Sequence, residues 1–429
     1  MFFSKFFGSK DKNKELVIEG KVLKKYRGKE EIYTVPEEVT EIGEEAFTEC
    51  ENLRQVIMHN NVKSVGRMAF KGCTTLENVT LSEKLDSIEI DTFCECENLK
   101  EISIPNSVEK IKNGAFKGCK SLKEVIIPDA VVSIGDWAFM DCENLGNIYL
   151  SENLVTLGDF AFGNCPNINE IVIPDSVKEI GNEAFKECHH VKSLTMGKNV
   201  VSIGGEAFSE LENIREVILP DTVESLGVSA FRGCTSLSKV VLSKNIDTID
   251  YFTFFDCKSL KEITIPDSVE EIRNVAFGGC VNLEKIDFGK GLISIGDFAF
   301  NNNKSLTKLV FPDNFRNVGK FAFKNCENIQ EIHTGKKLSY IGDNAFSGCK
   351  SLKEFNAPNT LKIVSKSAFG DCVNLEKVTL GDSISFIGTY AFDNCVKLSE
   401  IVCPDTVTSI EEDAFNGCYN LRKMPSMKI

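Results

Sequence analysis

The chain has 429 residues, a net charge of −14, and a composition of 42% apolar and 26% charged residues that is ordinary for a folded protein. Its acidic balance argues against binding to nucleic-acid backbones, which attract basic surfaces. No apolar run approaches the roughly 18–20 residues that a membrane-spanning helix needs.

Residues 1–14, MFFSKFFGSKDKNK, form an aromatic and basic N-terminal tail. Phe2, Phe3, Phe6 and Phe7 recur at helical i, i+4 spacing before a group of lysines, which favours contact with a membrane interface. The alternative is a tail that packs against the end of the following domain or stays disordered. The segment lacks the apolar stretch and cleavage site of a secretory signal, so the chain as written is expected to stay in the cytosol.

Residues 15–41 alternate apolar and polar positions around a glycine-containing turn. They lack the motif that fills the rest of the chain. Because the open end of a repeat array exposes its core, we predict that this segment is a hairpin-like N-terminal cap.

Residues 42–429 contain seventeen units of 23 residues without insertion or deletion. Phe recurs at this interval from Phe47 to Phe415. Ala precedes the Phe in fifteen units, and Cys follows three residues after it in fifteen. One such unit buries too little to fold alone, so the units must stack and align their Phe, Leu and Cys positions into ladders.

Each unit contains a short apolar alternation, such as Ile102 and Ile104, which predicts a short strand. Pro or Gly follows it and ends the strand. The stretch around Ala-Phe is predicted to be a turn of α- or 3₁₀-helix at most. From Pro128 to Pro404, Pro recurs at this strand end every 46 residues, while the intervening units carry Ser or Gly, so the array is predicted to consist of stacked pairs.

The segment Ile173-Pro-Asp-Ser-Val-Lys-Glu-Ile-Gly-Asn-Glu-Ala-Phe185 resembles the 23-residue unit of the BspA-like leucine-rich repeat family, and residues 19–36 resemble that family's N-terminal unit. The resemblance extends over about residues 15–425. It implies an α/β, β-rich solenoid: a right-handed leucine-rich-repeat superhelix with a parallel concave sheet of short strands and short helical or 3₁₀ turns. It also implies an adhesin-like, cell-surface or secreted binder of host matrix or cell-surface proteins.

The cysteines favour a structural role. Fifteen occupy one interior repeat position, where Cys acts as a small hydrophobic residue, so we predict free, reduced core thiols. The alternative is a disulfide between neighbouring turns, whose spacing suits the Cα separation of about 4.4–6.8 Å. Only Cys94 and Cys96 approach metal-ligand spacing, and no catalytic set or phosphate-binding motif is present. We therefore predict no enzyme activity, metal or cofactor.

The outward strand positions are the better site candidates. One alternates Glu with Lys, as from Glu216 to Lys239, which favours pairing within the sheet. The other carries bare apolar residues, which reflect either strand propensity or a binding stripe. The predicted protein-binding residues are Ile126, Tyr149, Val172, Glu124 and Glu170.

The sequence thus predicts a non-catalytic protein–protein interaction scaffold that binds through its concave strand face. We expect a monomer with protein partners and no nucleic-acid partner. The alternative is a cytoplasmic structural spacer that presents its N-terminal aromatic segment to a membrane.

Overall fold

The computed structural model describes residues 16–422, and the chain divides into two compact units between Leu154 and Val155. In both units each 23-residue repeat makes one turn of a parallel β-solenoid. The N-terminal tail with Phe2, Phe3, Phe6 and Phe7, and residues 423–429, lie outside the described residues.

The first unit begins with a hairpin and then alternates longer and shorter strands. The hairpin strands are β1 (Leu16–Glu19) and β2 (Val22–Tyr26). The odd-numbered strands from β3 on form what we call the long-strand face; here they are β3 (Ile32–Thr34), β5 (Gln55–Ile57), β7 (Asn78–Thr80), β9 (Glu101–Ile102), β11 (Glu124–Ile126) and β13 (Asn147–Tyr149). The even-numbered strands from β4 on form the short-strand face; here they are β4 (Glu41–Ile42), β6 (Ser64–Val65), β8 (Ser87–Ile88), β10 (Lys110–Ile111) and β12 (Ser133–Ile134).

The second unit repeats this alternation. Its long-strand face contains β15 (Glu170–Val172), β17 (Ser193–Thr195), β19 (Glu216–Ile218), β21 (Lys239–Val241), β23 (Glu262–Thr264), β25 (Lys285–Asp287), β27 (Lys308–Val310), β29 (Glu331–His333), β31 (Glu354–Asn356), β33 (Lys377–Thr379) and β35 (Glu400–Val402). Its short-strand face contains β14 (Thr156–Leu157), β16 (Glu179–Ile180), β18 (Ser202–Ile203), β20 (Ser225–Leu226), β22 (Thr248–Ile249), β24 (Glu271–Ile272), β26 (Ser294–Ile295), β28 (Asn317–Val318), β30 (Tyr340–Ile341), β32 (Ile363–Val364), β34 (Phe386–Ile387) and β36 (Ser409–Ile410).

The third side of each turn, around Ala-Phe, contains no helix anywhere in residues 16–422, so the predicted helical or 3₁₀ turns are wrong. The cause is local. The residues two before and two after each Phe have left-handed backbone, as Glu45 (φ 55°) and Glu49 (φ 58°) do around Phe47. A positive φ interrupts any right-handed helix after about one turn, and for a residue other than Gly it costs on the order of 1–3 kcal/mol. We call this side the turn edge.

Hydrogen bonds between successive turns offset the free-energy cost of this backbone strain. The Phe47 N–H donates to Ala69 O at 2.7 Å, and the Glu45 N–H donates to Arg67 O at 3.0 Å. The same pattern recurs in the second unit, where the Phe277 N–H donates to Ala299 O at 2.8 Å. The turn edge is therefore held by neighbouring turns rather than by bonds within a helix.

The core of each unit is a stack of phenylalanine rings. In the first unit, Phe47 and Phe70 have ring centroids 4.8 Å apart and an interplanar angle of 11°. In the second, Phe162 and Phe185 are 5.4 Å apart at 3°. All seventeen repeat phenylalanines are buried, from Phe47 to Phe415. Since each buries an aromatic side chain of roughly 150–250 Å², this ladder dominates the apolar core.

The predicted pairing of turns is present on the long-strand face. In the second unit the strands bond as β15–β17, β19–β21, β23–β25 and β27–β29, followed by β31–β33–β35. Within a pair the turns are close: a Cβ added to Gly197 would lie 2.2 Å from Pro174 O, so only a very small residue fits there. Where one pair ends and the next begins, the first turn of the next pair carries a proline at the end of its long strand. Pro220 is an example, and it has no N–H to donate to the sheet.

The hairpin at the start of the first unit covers one end of its phenylalanine ladder. Strand β2 pairs antiparallel with β1 and parallel with β4. The Tyr26 and Tyr33 rings lie 5.2 Å and 5.6 Å from the Phe47 ring. Burial is the largest cause that raises the pKa of both tyrosines to about 12, and Glu30 adds to it.

Candidate binding surface

Strands β11 and β13 bring three of the five predicted binding residues together. Their parallel register places Ile126 beside Tyr149 and Glu124 beside Asn147. Ile126 is 58% exposed and Tyr149 is 54% exposed, although each ends a strand whose central residue faces the core. Alternation along a strand explains this, because successive side chains point to opposite faces. An aliphatic and an aromatic side chain therefore lie side by side in solvent.

The other two predicted residues, Val172 and Glu170, lie on β15 in the second unit. Their register neighbours there are Thr195 and Ser193 on β17. Val172 is 48% exposed, and the Ser193 hydroxyl donates to Glu170 Oε1 at 3.1 Å. The sequence-based grouping of Val172 with Tyr149 stays a prediction, because the two residues belong to different units.

The charged column of the long-strand face pairs with itself in part. Lys239 forms the predicted ion pair with Glu216 on the adjacent strand. Lys308 pairs with Glu331 at 2.8 Å. Lys285, by contrast, lies next to Glu262 in register but pairs with Asp287 of its own strand at 2.6 Å. These charges are exposed, so each pair stabilises the fold by only about 0.2–1 kcal/mol.

A groove of about 920 Å³ lies on the long-strand face of the first unit. It spans the junction between β9 and β11, where no ladder hydrogen bonds join the two strands. Lys100, Glu101 and Lys123 line it together with two of the predicted site residues, Glu124 and Ile126. The groove therefore combines both signs of charge with an apolar side chain at its margin.

A second groove, of about 560 Å³, lies in the second unit at the equivalent junction between β17 and β19. Its lining includes Lys192, Arg215, Glu216 and Ile218. Ile218 is 54% exposed and occupies the same repeat position as Ile126. Both grooves thus form where the 46-residue pairing interrupts the sheet.

The BspA-type leucine-rich repeat region model matches the sequence in four overlapping segments, residues 25–145, 109–238, 227–350 and 316–428. The chain belongs to the BspA-type leucine-rich-repeat family. Its proteins are generally interaction scaffolds rather than enzymes. No curated protein matches the sequence.

Among solved structures, a leucine-rich repeat protein from Bacteroides ovatus is similar to this BspA-type chain with a TM-score of 0.72 and 26% identity, over 89% of this chain and 100% of that one. A leucine-rich cell surface protein from Faecalibacterium prausnitzii is 22% identical over 91% of this chain and 95% of that one, with a TM-score of 0.39. A leucine-rich repeat protein from Eubacterium ventriosum is 24% identical over 66% and 80%, with a TM-score of 0.46. The first of these supports the leucine-rich-repeat fold over the part of the chain that it covers.

The cysteines of this BspA-type array are free thiols, as predicted, and those of the ladder are almost all buried. The ladder thiols donate to backbone carbonyls: Cys280 Sγ donates to Phe254 O at 3.1 Å, and Cys326 Sγ donates to Phe300 O at 3.1 Å. Burial raises the pKa of the Cys119 thiol well above its ordinary value. A small residue with a weak donor fits this position, which explains why Cys recurs there.

The histidines do not converge on a reactive site. His59 Nε2 lies 2.8 Å from Pro36 O, His190 Nδ1 lies 3.1 Å from Asn167 Oδ1, and His333 is exposed beside Glu331. Within residues 16–422, no group of three or more His, Cys, Asp or Glu side chains is arranged to hold a metal ion. No helix in that part of the chain is long and apolar enough to cross a membrane.

Sequence reasoning missed a second apolar surface, on the turn edge. The position two residues before the repeat Phe carries exposed aromatic side chains in several turns, with Trp137, Phe252, Phe298 and Tyr390 each between 37% and 43% exposed. The signal was in the sequence, because this column can be read at the same 23-residue interval as the Phe ladder. It was overlooked because a helical turn was expected there.

Proposed function

We propose that this BspA-type chain is a non-catalytic protein–protein interaction scaffold that binds through its long-strand face. The main observation in support is the pair Ile126 and Tyr149. The two residues are adjacent across β11 and β13, and each is more than half exposed. The proposed contact centre also includes Glu124, Val172 and Glu170. By family resemblance this face is the concave side of the solenoid.

The groove beside this pair supports the proposal. Protein interfaces combine a few apolar or aromatic anchors with a polar rim, and tyrosine is among the residues enriched at their centres. Ile126 lines the groove together with Lys100, Glu101 and Lys123. The arrangement therefore offers an anchor, Tyr149 with Ile126, next to charged groups of both signs.

The domain organisation in this proposal follows the repeat. Residues 15–41 cap the array and residues 42–429 form it, and the proposed contact centre lies beyond the cap. The hairpin and the contact of Tyr26 and Tyr33 with Phe47 support the capping role. We propose that the partner is a protein of the host matrix or of a cell surface, as the resemblance to the BspA-like family implies.

The test is quantitative capture of matrix and cell-surface proteins by the immobilised full chain. We expect the double change Ile126→Glu and Tyr149→Glu to lower recovery of the bound partner at least tenfold. In the complex, two carboxylates would then be buried in place of the apolar anchor. Val310→Glu is the matched control, since Val310 occupies the same repeat position and is 51% exposed. Equal recovery by the double variant and the unaltered chain would reject this contact centre.

A further inference from the structure

The turn edge of the second unit carries a continuous apolar stripe. Phe252, Val275, Phe298 and Phe321 occupy the position two before the repeat Phe in four successive turns. Phe298 and Phe321 stack with ring centroids 4.6 Å apart. Phe252 and Phe298 are each 38% exposed, and Tyr251 beside the stripe is 41% exposed. We call these four residues the turn-edge stripe.

The backbone does not favour these residues. Their φ angles are 57° at Phe252, 63° at Val275, 58° at Phe298 and 57° at Phe321. A left-handed residue of this kind is normally Gly, Asn or Asp, and a β-branched valine is a genuine outlier there. The turn-edge stripe is therefore a row of partly exposed apolar side chains on strained backbone. Neither the backbone conformation nor contact with solvent favours apolar residues at these positions.

The charges around the stripe are arranged asymmetrically. Arg273 is neutralised by Asp250 at 3.2 Å, and Lys320 by Asp343 at 3.1 Å. Asp256, in the first turn of the stripe, and Lys324, in the fourth, form no ion pair with any described residue. Lys324 Nζ instead lies 5.3 Å from the Phe321 ring centroid. An unpaired anion thus lies at one end of the stripe and an unpaired cation at the other.

We propose that the turn-edge stripe is the interface of a two-fold symmetric, antiparallel dimer of this chain. A two-fold axis between the turns of Phe277 and Phe300 places Phe252 of each copy opposite Phe321 of the other, and Val275 opposite Phe298. The same axis brings Asp256 of each copy to Lys324 of the other. A two-fold interface requires such self-complementarity, in which residue i meets residue j and j meets i.

The size of the stripe sets the strength of this association. Phe252 and Phe298 are each 38% exposed, whereas Val275 and Phe321 are half-buried. Since an aromatic side chain presents roughly 150–250 Å², the stripe buries at most about 300 Å² per copy. A standard interface buries about 800 Å² per partner, and smaller ones are weak or transient. The dimer is therefore expected in the micromolar range, and it leaves the long-strand face free.

Analytical ultracentrifugation of the full chain across the micromolar range tests the stripe. The unaltered chain dimerises, and Phe252→Ser combined with Phe298→Ser raises the dissociation constant at least tenfold. Tyr390→Ser is the matched control, because Tyr390 occupies the same repeat position at φ 58° and is 37% exposed, but it lies outside the stripe. A monomer at every concentration, or a serine variant that dimerises as the unaltered chain does, overturns the proposal.

Charge reversal tests the antiparallel register. In the dimer of the Asp256→Lys variant, position 256 of each copy faces Lys324 of the other, so both symmetric contacts join two lysines. In the dimer of the Lys324→Asp variant, both contacts join two aspartates. Each change therefore raises the dissociation constant about tenfold. The variant with both changes recovers the original value. An equimolar mixture of the two single variants recovers it as well, because both contacts of the mixed dimer then join opposite charges. Failure of the double variant and of the mixture to recover rejects this interface.

Discussion

Phe277 and Val275 lie two residues apart in one turn, yet their repeat positions differ in burial, backbone conformation and variability. Phe277 is fully buried, has ordinary backbone geometry and repeats without exception through all seventeen units. Val275 is half-buried at φ 63°, and its repeat position holds residues as different as Glu183, Ser229 and Trp137. The buried column is constant because every ring must fit the ring above and below it. The turn-edge column varies because most of its side chains lie outside the core and can differ from turn to turn, even where two neighbours stack, as Phe298 and Phe321 do.

That contrast separates the residues that carry the fold from those that can carry recognition. Close-packed interiors tolerate little change in volume, so interior columns must repeat faithfully. Outward columns are free to change, and an apolar side chain kept there against solvent or backbone preference is a candidate for a contact. Ile126 and Tyr149 on the long-strand face and Phe298 on the turn edge meet this criterion.

The largest expected effect comes from breaking the buried column. Phe277→Ala should lower the free energy of unfolding by about 3–5 kcal/mol, because it leaves a ring-sized cavity between Phe254 and Phe300. Urea denaturation followed by circular dichroism measures the change. Phe298→Ala in the turn edge of the next turn is the control, with an expected loss below about 1 kcal/mol. Comparable losses would show that burial does not distinguish the two columns.

The ends of the thiol ladder should differ from its middle. A hydrogen bond from the Cys73 thiol, together with Arg27 Nη1 at 3.8 Å, lowers the pKa of Cys50 to about 7, whereas burial raises that of Cys119. At neutral pH a larger fraction of Cys50 than of Cys119 is therefore thiolate, which is the reactive form. Site-resolved alkylation with iodoacetamide should label Cys50 first, with a rate that rises through pH 7 rather than pH 9.

Arg27→Gln provides the control for that labelling. Because it removes a positive charge beside the thiolate, it should raise the pKa of Cys50 and slow its alkylation at neutral pH. Cys119 should stay unreactive in both proteins until they are unfolded. Equal labelling of Cys50 and Cys119 in the folded chain would contradict the distinction between the end and the middle of the ladder.

A smaller effect should come from repairing the thiol ladder. Asn303 takes the place of Cys, is fully buried, and has no hydrogen-bond partner at either amide atom. Asn303→Cys should raise the free energy of unfolding by about 1–3 kcal/mol, since an unpaired buried polar group is removed. Asn303→Leu, which reproduces the situation at Leu211, shows whether removal of the amide alone accounts for the gain. Unchanged urea midpoints for both variants would mean that the amide is satisfied in solution.

The smallest effect is expected on the charged column. A double-mutant cycle of Glu216→Ala and Lys239→Ala should give a coupling energy of about 0.2–1 kcal/mol, reduced further by salt, because both side chains are exposed. The pair formed by Lys308 and Glu331 is the matched comparison on the same face. A coupling well above this range would mean that these charges hold the sheet together more strongly than solvent screening allows.

The fold was predictable from the sequence to the extent that the repeat specified interior contacts. The interval from Phe47 to Phe70 led to the stacked ladder, and the 46-residue recurrence of Pro174 and Pro220 led to the paired strands. The turn around Ala-Phe was predicted wrongly because Ala and Phe are compatible with a helix. The position two after the Phe is Gly, Asn or Asp in thirteen of the seventeen units, a mark of left-handed backbone that was overlooked, whereas the position two before it, as at Glu45, mostly carries no such mark. At the position two before the Phe, hydrogen bonds from the adjacent turn rather than local propensity select that conformation.

The candidate surfaces were predictable only in part. Alternation along β11 and β13 was enough to infer that Ile126 and Tyr149 face outward. The groove beside them was not, because it depends on which neighbouring strands fail to bond. The turn-edge stripe was missed because only the strand positions were considered as outward-facing, although Phe252, Val275, Phe298 and Phe321 recur at the same 23-residue interval.

The sequence by itself determined the repeat, its interior ladders and its membership of the BspA-type family. This was possible because positions that are buried in every turn carry the same apolar residue at a fixed interval. Tertiary structure alone decided the left-handed backbone two residues before each Phe, the interruptions of the long-strand face and the partners of the cysteine thiols. Each of these depends on hydrogen bonds or steric contacts between residues 22–26 positions apart, such as Cys280 with Phe254. Those contacts exist only once the turns are stacked, so no single unit can encode them.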